Sequence, residues 1–117
     1  MATELSVNEL VDRISELHGT PVEVAGLLSF EFENQALWHF PTAERRPAPE
    51  SGPAVYSSSV WIAFGMGSIQ PNKTALTRWN GKRVYGSGIV YGASDRFGCG
   101  HMGGWTCEIV PYSIERR

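Results

Sequence analysis

The sequence predicts a mainly β chain: a five-stranded Greek-key barrel carrying one α-helix at its N-terminus. Three observations lead there. Residues 18–32, HGTPVEVAGLLSFEF, alternate. Val22, Val24, Gly26, Leu28, Phe30 and Phe32 occupy the even positions, and Glu23, Ala25, Leu27, Ser29, Glu31 and Glu33 the odd ones. A period of two marks a strand with one apolar and one mostly wet face. The run is longer than the usual strand of roughly 5–6 residues, and Gly26 in its middle marks a bend or bulge. A long strand bent in this way can serve both halves of a small curled barrel. The third observation is a near-repeat. GTPVEVAGLL and GKRVYGSGIV align without a gap, placing Gly19 over Gly81, Val22 over Val84, Gly26 over Gly88 and Leu28 over Val90. Two strands bent at one height need the same glycine chemistry.

The opening helix, about residues 6–18, carries its own start and stop. Ser6-Val7-Asn8-Glu9 is a capping box, with Leu5 and Leu10 at the two positions of a hydrophobic staple. Val7, Leu10, Val11, Ile14 and Leu17 form one stripe at helical spacing. Gly19 suits a left-handed C-terminal residue, and Pro21 stops continuation. A helix this short needs its apolar face docked, so it is expected to plug one end of the barrel.

After the first strand, Glu33-Asn34-Gln35 reads as a tight turn and residues 36–40, ALWHF, as the return strand. Residues 41–59 hold four prolines and no periodicity, which makes them a stiffened loop, either mobile or a binding element. Residues 60–64 are a third strand. Residues 65–80 read as loop, with one helical turn at most near 74–79, because Pro71 and the glycines argue against more. Asn80-Gly81 signals a turn into the fourth strand, and a fifth runs from Trp105 to about Ile114, with Pro111 confined to an edge or bulge.

Length and composition bound the function. The chain, residues 1–117, is read as a single domain with its barrel over about 20–115. It has 42% hydrophobic and 19% charged residues and a net charge of -2, so no global basic field draws in nucleic acid. The charge is split: residues 1–50 hold nine acids and three bases, residues 51–117 three acids and seven bases. That is chance plus an acidic helix, or a bipolar surface that orients a partner. No apolar run reaches transmembrane length and the N-terminus lacks a leader pattern, so the chain is expected to be cytoplasmic and to engage no membrane.

One helix and five strands, two of them bent at glycine, point to the oligonucleotide/oligosaccharide-binding (OB) type of barrel. The strings G-x-x-V-x-V-x-G-x-L, A-L-W, W-I, N-G-K-x-V-x-x-x-G and G-H-M-G-x-W, spread over residues 18–110, resemble those of small uncharacterised bacterial OB-fold-like proteins with a G-H-M-G motif. The resemblance implies the fold and a non-catalytic role, and names no ligand. The commonest such barrel has a helix between strands three and four. Without a clear one here, closure of the barrel bottom falls to the N-terminal helix.

Chemistry-bearing residues concentrate in 94–105, SDRFGCGHMGGW, where four glycines surround Arg96, Phe97, Cys99, His101 and Met102. This connection between strands four and five reads either as a tight reversal or as a ligand loop whose amides form an anion nest. Cys99, His101 and Cys107 fall short of the usual four structural zinc ligands, and Cys107 alternates with Trp105 and Ile109 as a core residue does. No metal or cofactor is expected. No nucleophile dyad with an orienting third group is visible, so no enzyme activity is expected. By parity Tyr85 and Tyr91 lie on the outer face with Lys82, Arg83 and Arg78 near, opposite in sense to Val84 and Val90. His18 and His39 read as surface or capping residues.

Two functions follow. The first is a non-enzymatic protein-binding domain, a small inhibitor or immunity-type protein that blocks a partner such as a toxin or enzyme. The alternative is an OB-type binder of single-stranded nucleic acid or another small ligand. The candidate binding residues are Trp61, Lys82, Arg83, Tyr85, Tyr91, Arg96, Phe97, His101 and Met102.

Overall fold

Ahead of the helix lies a short strand that the sequence does not signal, β1 (Glu4–Ser6), running parallel to the first barrel strand with Leu5 opposite Val24. The structure, a computed structural model, describes residues 4–31, 34–47, 56–65, 67–93, 99–100 and 104–116. The expected single helix is two pieces, α1 (Val7–Asp12) and α2 (Ile14–Leu17), broken at Arg13, whose φ and ψ of -106° and 13° are not helical. The capping box is formed: Ser6 Oγ accepts from the Glu9 N–H at 3.2 Å, and the Ser6 N–H donates to Glu9 Oε1 at 3.1 Å. Bonds to the Ser6 backbone and side chain hold the Glu9 carboxyl below its ordinary value of 4.5. Its contribution is therefore complete above that value and is lost as the pH falls through the lower folded one. Ser6→Ala is expected to destabilise the chain by about 1 kcal/mol, measured by urea denaturation at neutral pH.

The alternating run is one strand, β2 (Pro21–Glu31), and the chain continues through β3 (Asn34–Trp38), β4 (Ser59–Ile62), α3 (Lys73–Arg78), β5 (Arg83–Gly92) and β6 (Cys107–Glu115). The sheet order is β1-β2-β3-β4-β6-β5, and a further β2–β5 pairing closes β2 to β6 into a five-stranded barrel with β1 as an extra strand. Antiparallel pairing joins every neighbouring pair in the ring except β4 and β6, which run parallel. β2 pairs with β5 over Pro21–Leu27 and with β3 over Leu27–Glu31, so Leu27 is flanked by both strands just past Gly26.

Gly26 and Gly88 are demanded by close approach. A Cβ on Gly26 would lie 2.9 Å from Leu37 Cβ, and one on Gly88 would lie 2.2 Å from the Val110 carbonyl oxygen. The repeat has a structural meaning. Because β2 and β5 are antiparallel, Val22 faces Gly88 and Gly26 faces Val84, each large residue opposite a missing one. Val22, Val24, Leu28, Leu37, Val60, Ile62, Val84, Val90, Cys107 and Ile109 fill the interior.

α1 touches β2 and β4, strands that are not neighbours in the ring, and α2 touches β5. The helical pair therefore lies across a barrel opening, with Val7 and Leu10 fully buried. The loop expected over 65–80 instead contains α3, six residues capped by Asn72, whose side chain accepts from the Ala75 N–H, and anchored by buried Leu76. It packs by the far end of β2, where Asn80 Oδ1 accepts from the Phe30 N–H at 2.8 Å. Both Pro71 and the glycines precede the cap, where they start a helix rather than interrupt one. Among the described residues no helix is long and apolar enough to cross a membrane.

Candidate functional site

Outward-facing residues line up in rows across the ring. One row runs Arg83, Leu27, Trp38, Ser59 over β5, β2, β3 and β4. The next runs Ser29, Ala36, Trp61, Glu108, Tyr91 over all five barrel strands. These rows carry most of the described chemistry outside the core.

The second row is covered at its centre. Cys99 and Trp105 form an isolated antiparallel bridge, with hydrogen bonds of 2.8 and 3.0 Å in the two directions, and fold down on Ala36 and Trp61. Trp105 lies 4.8 Å from Trp61 and 4.7 Å from Tyr56, and its indole N–H donates to Ser59 Oγ at 3.0 Å. Gly100, at φ +74°, presses so closely that a Cβ would sit 2.6 Å from the Trp61 ring. Trp61 is thus packed beneath this connection, a second small core outside the barrel.

Glu108 lies in the same row, and partial burial raises its carboxyl above the ordinary 4.5. A raised carboxylate value means stability present below 4.5 and lost as the pH rises through the folded value. Glu108→Gln is therefore expected to raise the thermal midpoint at about pH 7 and to match the unsubstituted chain near pH 4, by paired thermal melts.

The first row stays open from Arg83 to Trp38, while its Ser59 end is buried beneath Trp105. Arg45 lies over Trp38 at 5.5 Å from the ring centre, and Arg83 over Phe40 at 4.5 Å. Arg45 lines one cleft with Leu27 and Trp38, and Arg83 is the register partner of Leu27. A shallow cleft of about 340 Å³ opens here, lined by Leu27, Ser29, Glu31, Trp38, Arg45 and Asn80 among others. Tyr56, 36% exposed, stands edge-on to Trp38 at 5.4 Å.

Arg45 is held by a clasp at the start of the proline-rich loop. His39 is only 4% exposed, which corrects its reading as a surface residue while keeping its capping role. Its Nδ1 accepts from the Asn8 N–H in the first turn of α1 at 3.2 Å, and its Nε2 lies 2.9 Å from Glu44 Oε1. Those two bonds select the neutral tautomer with its proton on Nε2. Arg45 Nε donates to the His39 carbonyl at 2.7 Å, and Arg46 pairs with Asp12 at 2.8 Å. Ser58 Oγ accepts from the Arg46 N–H and donates to Asn8 Oδ1. The rest of the loop, 48–55, lies outside the described residues.

Among the described residues, the sequence-derived candidates do not gather into one patch. Lys82 and Arg83 are exposed at the start of β5, and Tyr85 is half-buried two residues on. Tyr91 stands six residues further along, roughly 20 Å away at the strand rise, where it meets His18 edge-on at 5.6 Å. His18 is exposed, and its Nδ1 accepts from the Gly92 N–H at 2.9 Å. The outward parity of the tyrosines holds, with Val84 and Val90 fully buried. Arg96, Phe97, His101 and Met102 lie outside the described residues. Residues missed from the sequence are Leu27, Trp38, Phe40, Arg45 and Glu108. The one signal for the first was an apolar side chain at a wet position.

Burial raises the Cys99 thiol to about 11 and the Cys107 thiol to about 12, leaving both protonated and unreactive at neutral pH. Among the described residues no three His, Cys, Asp or Glu side chains converge as metal ligands. Comparison of the chain with protein-family models, with curated proteins and with solved structures returns no significant match.

Proposed function

We propose that this chain is a non-enzymatic protein-binding domain, a small cytosolic inhibitor or immunity-type protein that acts by covering a partner's site. The observation that carries this reading is the open row Arg83–Leu27–Trp38, with Arg45 and Arg83 stacked on Trp38 and Phe40. Tryptophan, tyrosine and arginine around an apolar centre are the composition of binding hot spots. The face is built on strands and pinned by the His39 clasp, so little ordering cost falls on association. The cleft is open and carries both a carboxylate and a guanidinium, which favours a protein surface over an enclosed small molecule.

The competing reading is an OB-type barrel binding single-stranded nucleic acid. The strand order, with β3 and β4 as second and third strands of the ring, favours it, since that face is the binding surface in such barrels. Affinity capture from extract of the source cells, with and without nuclease treatment, separates the two. The unsubstituted chain should retain one protein at stoichiometric amount, and Trp38→Ala/Arg45→Ala should lose it while keeping its fold. Retention of oligonucleotide that weakens steeply with salt, or a protein held equally by the double variant, would remove the first reading.

A further inference from the structure

Resting on the protein-binding reading, we infer that the face around Leu27 takes an acidic polypeptide segment with an apolar or aromatic anchor. Arg45 and Arg83 are the residues that select it.

The chain is net acidic, yet this face concentrates cations. Arg83 is the direct register partner of Leu27, Lys82 precedes it, and Arg45 approaches from the other side over Trp38. The exposed carboxylate in the cleft, Glu31, is already in contact with Asn80, whose Nδ2 donates to Glu31 Oε1 at 3.3 Å. The guanidiniums lie over the rings of Trp38 and Phe40. Arg45 Nε is taken by the His39 carbonyl, so its terminal Nη–H groups are the ones that can meet a carboxylate.

The apolar centre comes next. Leu27 and Trp38 face each other across β2 and β3 and are only half-buried, so an incoming apolar side chain can cover both. Such a centre ringed by guanidiniums matches an anchor flanked by carboxylates.

The last consideration is the backbone of the ligand. Glu31 supplies an acceptor and Asn80 and Arg45 supply donors at the same cleft. A polypeptide main chain presents N–H and C=O groups to satisfy both kinds. A phosphodiester backbone presents acceptors alone and leaves Glu31 without a donor, whereas a peptide can turn main-chain N–H groups to Glu31 and its carboxylates to the arginine side. The observations therefore favour an acidic peptide over a nucleic acid at this face.

The test uses the full chain, isotope-labelled for NMR, and three probes: the blocked peptide Glu-Glu-Trp-Glu-Glu, its counterpart Lys-Lys-Trp-Lys-Lys, and an oligothymidylate six nucleotides long. The acidic peptide should perturb Leu27, Trp38 including its indole N–H, Arg45 and Arg83. Arg45→Gln and Arg83→Gln should each weaken it by about tenfold, the loss of one charge-assisted contact, while Lys73→Gln should leave it unchanged. Unaltered amide spectra elsewhere show that the variants fold. If the lysine peptide binds this face as well as or better than the glutamate peptide, the acidic preference is wrong while the protein-binding reading stands. If oligothymidylate binds here and neither peptide does, both are wrong. If none of the three perturbs the face, the acidic-segment inference is overturned, and the capture experiment still decides the broader reading.

Discussion

Gly88→Ala is expected to destabilise the barrel by about 3 kcal/mol or more, at or above the top of the range for overpacked sites. The added Cβ would stand 2.2 Å from the Val110 carbonyl oxygen, 2.7 Å from Pro111 Cα and 2.8 Å from the Val110 carbonyl carbon. All three are backbone atoms of β6 and cannot rotate away. The β5–β6 register also shifts between Ser87 and Gly88, so the two strands already meet at a bulge that aims exposed Tyr112 outward. Relief would require parting the antiparallel pair β5–β6 that helps close the ring. Against a total stability of roughly 5–15 kcal/mol, the thermal midpoint should fall by roughly 10 °C or more. Gly65→Ala is the control, because a methyl group there would meet nothing within 4 Å and the Gly65 backbone is not left-handed. If the two variants melt together, the close approach of β5 and β6 is not as described.

Trp105→Ala carries the second large effect, a loss on the order of 3 kcal/mol from emptying a buried aromatic site. The ring, 4% exposed, touches Tyr56 and Trp61 and is the centre of the outer core. Trp105→Phe keeps the packing and removes only the indole donor to Ser59, so it should lose about 1 kcal/mol. The ordering of these two variants in urea denaturation, with a red-shifted Trp61 emission in Trp105→Ala, checks the arrangement. A Trp105→Ala chain as stable as the unsubstituted one would mean that the connection between β5 and β6 does not pack on the barrel.

Both effects arise at places the sequence treats differently. The Gly26 and Gly88 strands were legible because a period of two survives along each, and the two copies share one spacing. The capping box at Ser6 was legible because it closes within four residues. β1 is three residues long and has no period to read. α3 was read as one turn at most near 74–79, because Pro71 and the glycines before it look like breakers until their place ahead of the Asn72 cap is known. The open row was illegible for a deeper reason. Leu27, Trp38 and Arg83 meet only through two strand registers, and Arg45 reaches Trp38 through a clasp that begins at buried His39. No local spacing encodes either. The residues chosen from the sequence instead, such as Tyr85 and Tyr91, share a strand but stand at opposite ends of it.

The central claim is that the face around Leu27 and Trp38 grips another protein. A photo-crosslinking amino acid placed at position 45, and separately at exposed Tyr112 on β6, tests it inside the cells that make the chain. The account predicts one discrete protein adduct from position 45 and none of that mass from position 112. Adducts to nucleic acid from position 45, or the same protein adduct from both positions, would contradict it.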